Sequence, residues 1–112
     1  KDAETPDMKE ASAIIEAVNA ILPDCDATVD MLADRLRISR TALSAKCKTY
    51  FSLTPNEVIR DVRLRKAVEL MKTTDMNIQQ ISIEIGIADQ RYFSRVFKAK
   101  YGVTPSEYRN KA

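Results

Sequence analysis

Apolar residues follow a helical period along most of this chain. Between residues 8 and 22 they fall on one face of a helix, at Ala11, Ile14, Ile15, Val18, Ile21 and Leu22. No stretch of useful length alternates apolar and polar residues as a half-buried strand would. The pattern therefore predicts an all-α fold of about seven helices.

Capping residues mark where the predicted helices begin and end. The sequences Thr-Pro-Asn-Glu at 54–57 and Thr-Pro-Ser-Glu at 104–107 each combine a hydroxyl N-cap, a proline at the first helical position and a capping-box glutamate. Gly86 and Gly102 suit the left-handed turn that ends many helices. Further predicted N-caps are Thr28, Ser39, Asn77 and Asp89.

The longest predicted helix runs from Thr54 to about Lys72, and its apolar face changes direction along its length. A helix that borders a single core keeps one apolar stripe. We interpret this segment as a connecting helix whose first half packs into one unit and whose second half packs into another. The first face comprises Val58, Ile59 and Val62, and the second comprises Leu64, Ala67, Val68, Leu70 and Met71.

Residues 43–59 and 93–109 are two copies of one pattern, with leucine matching phenylalanine at the start and Thr-Pro-x-Glu near the end. Upstream the match continues at an offset of 49, which indicates a one-residue insertion in the second copy. A repeat of this length indicates one structural unit used twice. The predicted boundaries are a linker over 1–8, a first helix-turn-helix subdomain over 9–53, a connecting helix over 54–73 and a second helix-turn-helix subdomain over 74–112.

Charge is distributed unevenly between the two ends of the chain. The overall charge is +2, but residues 1–34 carry a net charge of −7 and residues 35–112 a net charge of +9. A basic segment of this length suits a polyanionic partner such as nucleic acid. No apolar run is long enough to span a bilayer, so we predict no membrane contact by this segment.

The sequence offers no catalytic set and no metal site. It contains no histidine, and its two cysteines, Cys25 and Cys47, are far apart in sequence. Cys47 matches Phe97 in the repeat, so we expect it to be a buried small hydrophobe. The absence of a plausible disulfide favours a reducing compartment, and we predict a cytoplasmic protein. We predict no enzymatic activity, no metal and no cofactor.

Each copy of the repeat has the plan of a helix-turn-helix, in which the second helix has an apolar back and a polar front. Arginine can donate two hydrogen bonds to guanine, glutamine can pair with adenine, and hydroxyls can meet several bases or phosphates. The predicted base contacts are Arg40, Thr41 and Ser44 in the first copy, and Gln90, Arg91, Ser94 and Arg95 in the second.

A second set of residues suits the phosphate backbone. Lysines toward the ends of the two polar-fronted helices can supply affinity that does not depend on sequence, and the helix starts near two threonines can offer backbone N–H groups. For Lys100 the alternative is interaction with the helix dipole, and for the threonines it is simple capping. The predicted phosphate contacts are Lys46, Lys48, Thr54, Lys98, Lys100 and Thr104.

The second copy resembles the signature of AraC/XylS-type transcription regulators. The resemblance lies in Gly-Ile-Ala-Asp-Gln-Arg-Tyr-Phe-Ser-Arg-Val-Phe-Lys at 86–98, Gly-Val-Thr-Pro-Ser-Glu-Tyr-Arg at 102–109 and Arg-Leu-Arg-Lys-Ala at 63–67. It covers roughly residues 10–109 and implies seven helices, promoter DNA and RNA polymerase as partners, and activation of transcription as the function. Ala45 departs from the long polar residue that is frequent in the family, which shifts base reading in the first unit toward Arg40, Thr41 and Ser44.

Residues 39–43 and 54–60 are similar to the C-terminal output domains of hybrid two-component regulators, which implies other domains of a parent chain as partners. A regulator with a separate metabolite-binding domain is the rival architecture. Two other classes of function stay open on the residues alone. One is a helical protein-interaction module with an incidental basic face, and the other is a DNA-binding appendage of a repair enzyme.

Overall fold

Seven helices make up the part of the chain that the computed structural model describes, residues 5–22 and 29–111. They are α1 (Pro6–Ile21), α2 (Val29–Leu36), α3 (Arg40–Phe51), α4 (Pro55–Thr73), α5 (Ile78–Glu84), α6 (Gln90–Tyr101) and α7 (Pro105–Lys111). The all-α fold is confirmed: α2–α3 and α5–α6 are the two helix-turn-helix pairs, and α4 is the long connecting helix. The helix α1 begins at Pro6, so residues 6–8 are helical and not linker. Thr28 and Cys25 lie outside the described residues.

Side-chain caps set the helix starts, as predicted. The hydroxyl of Ser39 accepts from the backbone N–H of Ala42 at 3.0 Å. Asn77 and Gln80 form a reciprocal capping box with both bonds at 2.8 Å. The carboxylate of Asp89 accepts from the first N–H groups of α6. Each cap satisfies backbone donors that the first turn of a helix leaves unpaired, so these boundaries follow from local chemistry.

The two helix-turn-helix turns have the same backbone geometry although their residues differ. Arg37 and Gly86, which match in the repeat, both adopt positive φ, at 60° and 85°. In each turn the next N–H donates to the carbonyl five residues back, at 3.1 Å in the first turn and 2.9 Å in the second. This is the Schellman arrangement. The sequence gives no signal for it at Arg37, because a left-handed conformation costs a non-glycine residue about 1–2 kcal/mol.

The chain divides into two units, each with its own apolar core. Within the described residues the first unit comprises 5–22 and 29–62, and the second comprises 63–111. The core of the first is built around Val18, Leu32, Leu43 and Cys47, and that of the second around Ile81, Ile85, Phe93 and Phe97.

Helix α4 contributes to both cores. Val58, Ile59 and Val62 belong to the first core, while Leu64, Ala67 and Leu70 belong to the second, with Val68 and Met71 packed at its edge. The prediction of a connecting helix with two apolar faces is confirmed. The division between the units falls between Val62 and Arg63.

Two arginines hold the second unit together through backbone carbonyls. Arg63 is buried and donates to the carbonyl of Ile85 at 2.7 Å. This buried hydrogen bond gives Arg63 a structural role within the second unit. The guanidinium of Arg109 in α7 donates to the carbonyl of Met71 in the last turn of α4 and to those of Thr74 and Met76 in the connection that follows it. The bond to Met71 satisfies one of the carbonyls that the end of a helix leaves unpaired.

In the first unit, α1 is joined to α3 by one carboxylate. Glu10 accepts from Lys46 Nζ at 2.5 Å and from the Tyr50 hydroxyl. The hydrogen bond from Lys46 and then that from Tyr50 lower the pKa of Glu10, while the hydrogen bond to Glu10 raises the pKa of Tyr50 to about 12. The stabilisation from Glu10 is therefore present at neutral pH and is lost as the pH falls through its lowered pKa.

Replacing Leu70 by alanine should open the second unit preferentially. Leu70 is buried in the second core, so the change should cost about 2–5 kcal/mol. Native-state amide exchange should show faster opening of residues 77–108 than of residues 10–21 and 29–50. The matched variant Leu43→Ala removes a buried leucine of the first core and should show the reverse. Equal acceleration in both units with either variant would mean one indivisible core.

Tyr50 should ionise above the usual range for tyrosine, since its pKa is raised to about 12. Because the neutral phenol is the hydrogen-bond donor to Glu10, its raised pKa should appear as a late step in an ultraviolet absorbance titration. Glu10→Gln should return that step to the usual tyrosine range. The control Glu16→Gln removes an exposed charge from the same helix and should leave the step in place. Ionisation of Tyr50 within the usual tyrosine range in the unmodified chain would contradict the bond.

Candidate nucleic-acid interface

Helices α3 and α6 present polar faces with identical spacing. At about 100° per residue, the residues of each set fall within a sector of about 140° on their helix. We call these the front faces: Arg40, Thr41, Ser44, Ala45 and Lys48 on α3, and Gln90, Arg91, Ser94, Arg95 and Lys98 on α6. All are exposed except Ser94, which is half-buried. The structure thus brings the predicted base contacts of each unit together on one helical face.

The backs of both helices are firmly packed. Leu43 and Cys47 of α3 have no exposed surface, and neither have Phe93 and Phe97 of α6. Phe97 makes edge contacts with Phe93 at 5.8 Å and with Tyr108 of α7 at 5.6 Å between ring centroids. Burial raises the pKa of the Cys47 thiol, as expected for a buried small hydrophobe. A rigid back is what a helix needs to hold its front side chains in register with base edges.

The start of α6 is an open, polar surface. Gln90, Arg91 and Ser94 line a shallow depression together with Ala88 and Asp89. The Asp89 cap fixes the backbone there by accepting from the N–H groups of Arg91 at 2.9 Å and of Tyr92 at 3.2 Å. The N-terminal half of a recognition helix is where base contacts are made in helix-turn-helix proteins.

Because residues 92, 93 and 97 are all aromatic, the sequence predicts that Tyr92 is buried with the two phenylalanines; this prediction is wrong, since Tyr92 is exposed. It retains 37% of its surface, because Phe93, Val96 and Phe97 already fill the back of α6 and position 92 falls at the edge of the front face. The guanidinium carbon of Arg95 lies 5.3 Å from the centroid of the Tyr92 ring. This is within the range of a cation–π contact. The i,i+3 spacing of the pair is the sequence signal that could have indicated it.

Arg40 is paired with an acid from the preceding helix. Its Nε lies 3.3 Å from a carboxylate oxygen of Asp30 in α2, and both side chains are about two-thirds exposed, at 66% and 64%. Exposed pairs of this kind contribute about 0.2–1 kcal/mol, which is too little to hold Arg40 against a nucleic-acid partner. No spacing pattern in the sequence predicts this pair.

The four predicted phosphate-binding lysines fall into two sets. Lys48 and Lys98 are exposed in the last turns of α3 and α6, on the front faces. Lys46 and Lys100 project from the other side of their helices at about 100° per residue. Lys46 is paired with Glu10, and Lys100 Nζ lies 5.6 Å from the centre of the Tyr101 ring. Lys46 therefore has a structural partner in α1 that the sequence did not predict.

The helices that begin after Thr54 and Thr104 are each capped by a glutamate three residues further on. The N–H of Thr54 donates to Glu57 at 2.9 Å, and the N–H of Glu57 donates to the Thr54 hydroxyl at 3.2 Å. Thr104 and Glu107 form the same two bonds. The N–H of Thr54 is the largest cause of the lowered pKa of Glu57. Because the N–H groups of Thr54 and Thr104 already donate to glutamate carboxylates, these two threonines have the least support among the predicted phosphate contacts.

Other kinds of site have little support in the described part of the chain. Residues 5–22 and 29–111 hold no cluster of three or more histidine, cysteine, aspartate or glutamate side chains suited to a metal ion. None of the helices formed by these residues has the length and apolar character needed to cross a bilayer.

Known proteins share both the sequence pattern and the fold. Residues 32–111 match the family model of a helix-turn-helix domain. Over 84 residues the chain is 43% identical to histidine kinase P4 of Formosa agariphila, which covers 73% of this chain and 6% of that protein. Over 107 residues it is 34% identical to the HTH-type transcriptional regulator AlkR of Acinetobacter baylyi, covering 96% of this chain and 34% of the relative. The chain thus spans a minor part of the length of these relatives.

A solved structure has the same fold over most of the chain. It is the C-terminal domain of the two-component response regulator yesN from Fusobacterium nucleatum, with a TM-score of 0.78 and 28% identity over 90% of this chain and 98% of that one. The matched family model covers both polar-fronted helices and the connecting helix. The chain belongs to the AraC-type helix-turn-helix family, a family of DNA-binding domains of transcription regulators that are not themselves enzymes.

Proposed function

We propose that α3 and α6 read promoter DNA by entering successive major grooves. The observation that carries this proposal is the pair of equally spaced, exposed front faces on two helices with rigid apolar backs. A single polar-fronted helix is a common packing element. Two copies in one chain, with arginine on each front, are what a reader of two successive grooves requires.

In this proposal the front residues contact bases. Arg40, Thr41 and Ser44 read one groove, and Gln90, Arg91, Ser94 and Arg95 read the other. The second helix carries more long donors, since Ala45 leaves a gap on the first where Arg95 stands on the second. Arginine pairing with guanine and glutamine pairing with adenine discriminate by about 1–3 kcal/mol per good bidentate contact. We therefore expect the second unit to supply most of the discrimination.

Phosphate contacts supply the remaining affinity. Lys48 and Lys98 have the best support, because they are exposed at the ends of the front faces. Lys100 is exposed beside Tyr101 but projects from the side of α6 away from the front face, so it has less support than Lys98. Lys46 contributes only when it leaves Glu10. Thr54 and Thr104 contribute through the remaining N–H groups of their helix starts.

We further propose that the chain is the output segment of a two-component regulator that activates transcription through RNA polymerase in the cytoplasm. The similarity to a histidine kinase and to the end of a response regulator supports this. The chain covers only 6% of that kinase, which leaves room for sensor and receiver domains.

In vitro transcription with the parent protein should rise when its receiver is phosphorylated. Repression, or indifference to phosphorylation, would contradict this part of the proposal.

Arg95→Ala and Lys98→Ala should have different effects on DNA binding. Loss of Arg95 should cost about 1–3 kcal/mol on the preferred site and relax one base position. Loss of Lys98 should weaken all sequences alike and reduce the salt dependence by about one phosphate contact. Affinities for preferred and random duplexes at several salt concentrations would measure both. If Arg95→Ala weakened both duplexes by the same factor, Arg95 would not be a base reader.

The bound site should be asymmetric, because the two fronts carry different residues in a single chain. Two grooves with flanking phosphates should give a site of about 15–20 base pairs, with reading positions one turn or ~34 Å apart. Hydroxyl-radical footprinting of this chain is the test. Protection of one groove only, or an inverted repeat bound by two copies, would contradict the tandem model.

A further inference from the structure

We propose that Tyr92 is a positioning residue that orders the guanidinium of Arg95 before DNA is bound, and thereby sets discrimination at the base that Arg95 reads. This inference rests on the proposed function, in which Arg95 reads a base. Tyr92 itself need not contact a base for this role.

The geometry of the pair supports an ordered arginine. The guanidinium carbon of Arg95 lies 5.3 Å from the centre of the Tyr92 ring. Both side chains are exposed, so core packing does not force this contact. It depends on the side-chain rotamers that the two residues adopt at the surface. Tyr92 and Arg95 are three residues apart, and side chains at that spacing are neighbours on a helix.

The ring of Tyr92 stands on a fixed backbone. The carboxylate of Asp89 accepts from the N–H of Tyr92 at 3.2 Å. The next residue, Phe93, has no exposed surface and anchors the helix to the second core. An aromatic ring has few rotatable bonds, so a ring on a fixed backbone is a firm support for a long and flexible neighbour.

The kind of contact matters for base reading. In an ion pair, the N–H groups of an arginine are directed at the carboxylate and are not available to a base. Arg40 is in this position, with its Nε 3.3 Å from a carboxylate oxygen of Asp30. A guanidinium over an aromatic ring keeps its planar edge of donors directed outward, where it can form a bidentate pair with guanine. The contact also leaves the positive charge in place. Tyr92 can therefore reduce the freedom that Arg95 loses on binding without competing for its donors.

Variants at position 92 test this role. Tyr92→Leu keeps an apolar side chain but lacks the ring, and should lower affinity for the preferred site by about two- to fivefold. Binding to random DNA should stay unchanged, so discrimination at the Arg95 base should fall. Tyr92→Phe keeps the ring and should behave as the unmodified chain. Equal losses in Tyr92→Leu and Tyr92→Phe would mean that the hydroxyl contacts DNA, and the proposal would be overturned.

Coupling between residues gives a sharper comparison. Once Arg95→Ala is present, Tyr92→Leu should have no further effect on affinity, because its effect acts through Arg95. The matched control is Arg40→Ala, which removes the front arginine of the other unit, and its effect should add to that of Tyr92→Leu. Additive effects of Tyr92→Leu and Arg95→Ala would overturn the proposal.

A measurement without DNA separates this inference from the proposed function. Nitrogen relaxation of the Arg95 Nε–H group in the free chain should show restricted motion that Tyr92→Leu releases and Tyr92→Phe retains. Unchanged motion in Tyr92→Leu would overturn the positioning role, while base reading by Arg95 could still hold. If Arg95→Ala left base discrimination intact, Arg95 would not read a base. The proposed role of Tyr92 would then fail as well, even if its ring orders the arginine.

Discussion

Helix α4 has to bury apolar residues on two different sides, and the rest of the structure depends on this. Val62 is buried in the first core and Leu64 in the second. Because these residues are two positions apart on a helix, their side chains point in directions about 200° apart. Arg63 stands between them and is buried, with the carbonyl of Ile85 accepting from its guanidinium. A buried charge without partners would be costly, so this bond allows an arginine at the junction. One uninterrupted helix can thus serve two cores.

Because there are two cores, the chain holds two polar-fronted helices, α3 and α6, each in its own copy of the helix-turn-helix unit. The left-handed turn at Arg37 and Gly86, the capped starts of α3 and α6 and the packed backs of both helices recur in each unit. The front residues do not recur to the same extent, since Thr41 stands where Arg91 stands and Ala45 where Arg95 stands. Packing constrains the backs, whereas no core contact constrains the exposed front residues. In the proposed function, this separation is what lets one fold read two unlike grooves.

Local chemistry and periodicity were enough to predict most of the fold. Ser39, Asn77 and Asp89 act on neighbouring N–H groups, and the two faces of α4 follow from spacing alone, so each could be predicted from a short stretch of sequence. Contacts between distant residues could not. Glu10 is 36 residues from Lys46, and Arg109 reaches carbonyls more than 30 residues away. The exposure of Tyr92 was missed for another reason: an aromatic residue close to Phe93 and Phe97 suggests burial, but position 92 falls at the edge of the front face.

The central claim is that two different front faces on one frame read two different grooves. Selection of bound sites from random duplex DNA with this chain tests it most directly. The account predicts one asymmetric motif with two blocks of preferred bases about one helical turn apart, the block read by α6 being the stronger. A single block, a palindrome, or recovery of sequences without any shared motif would contradict it.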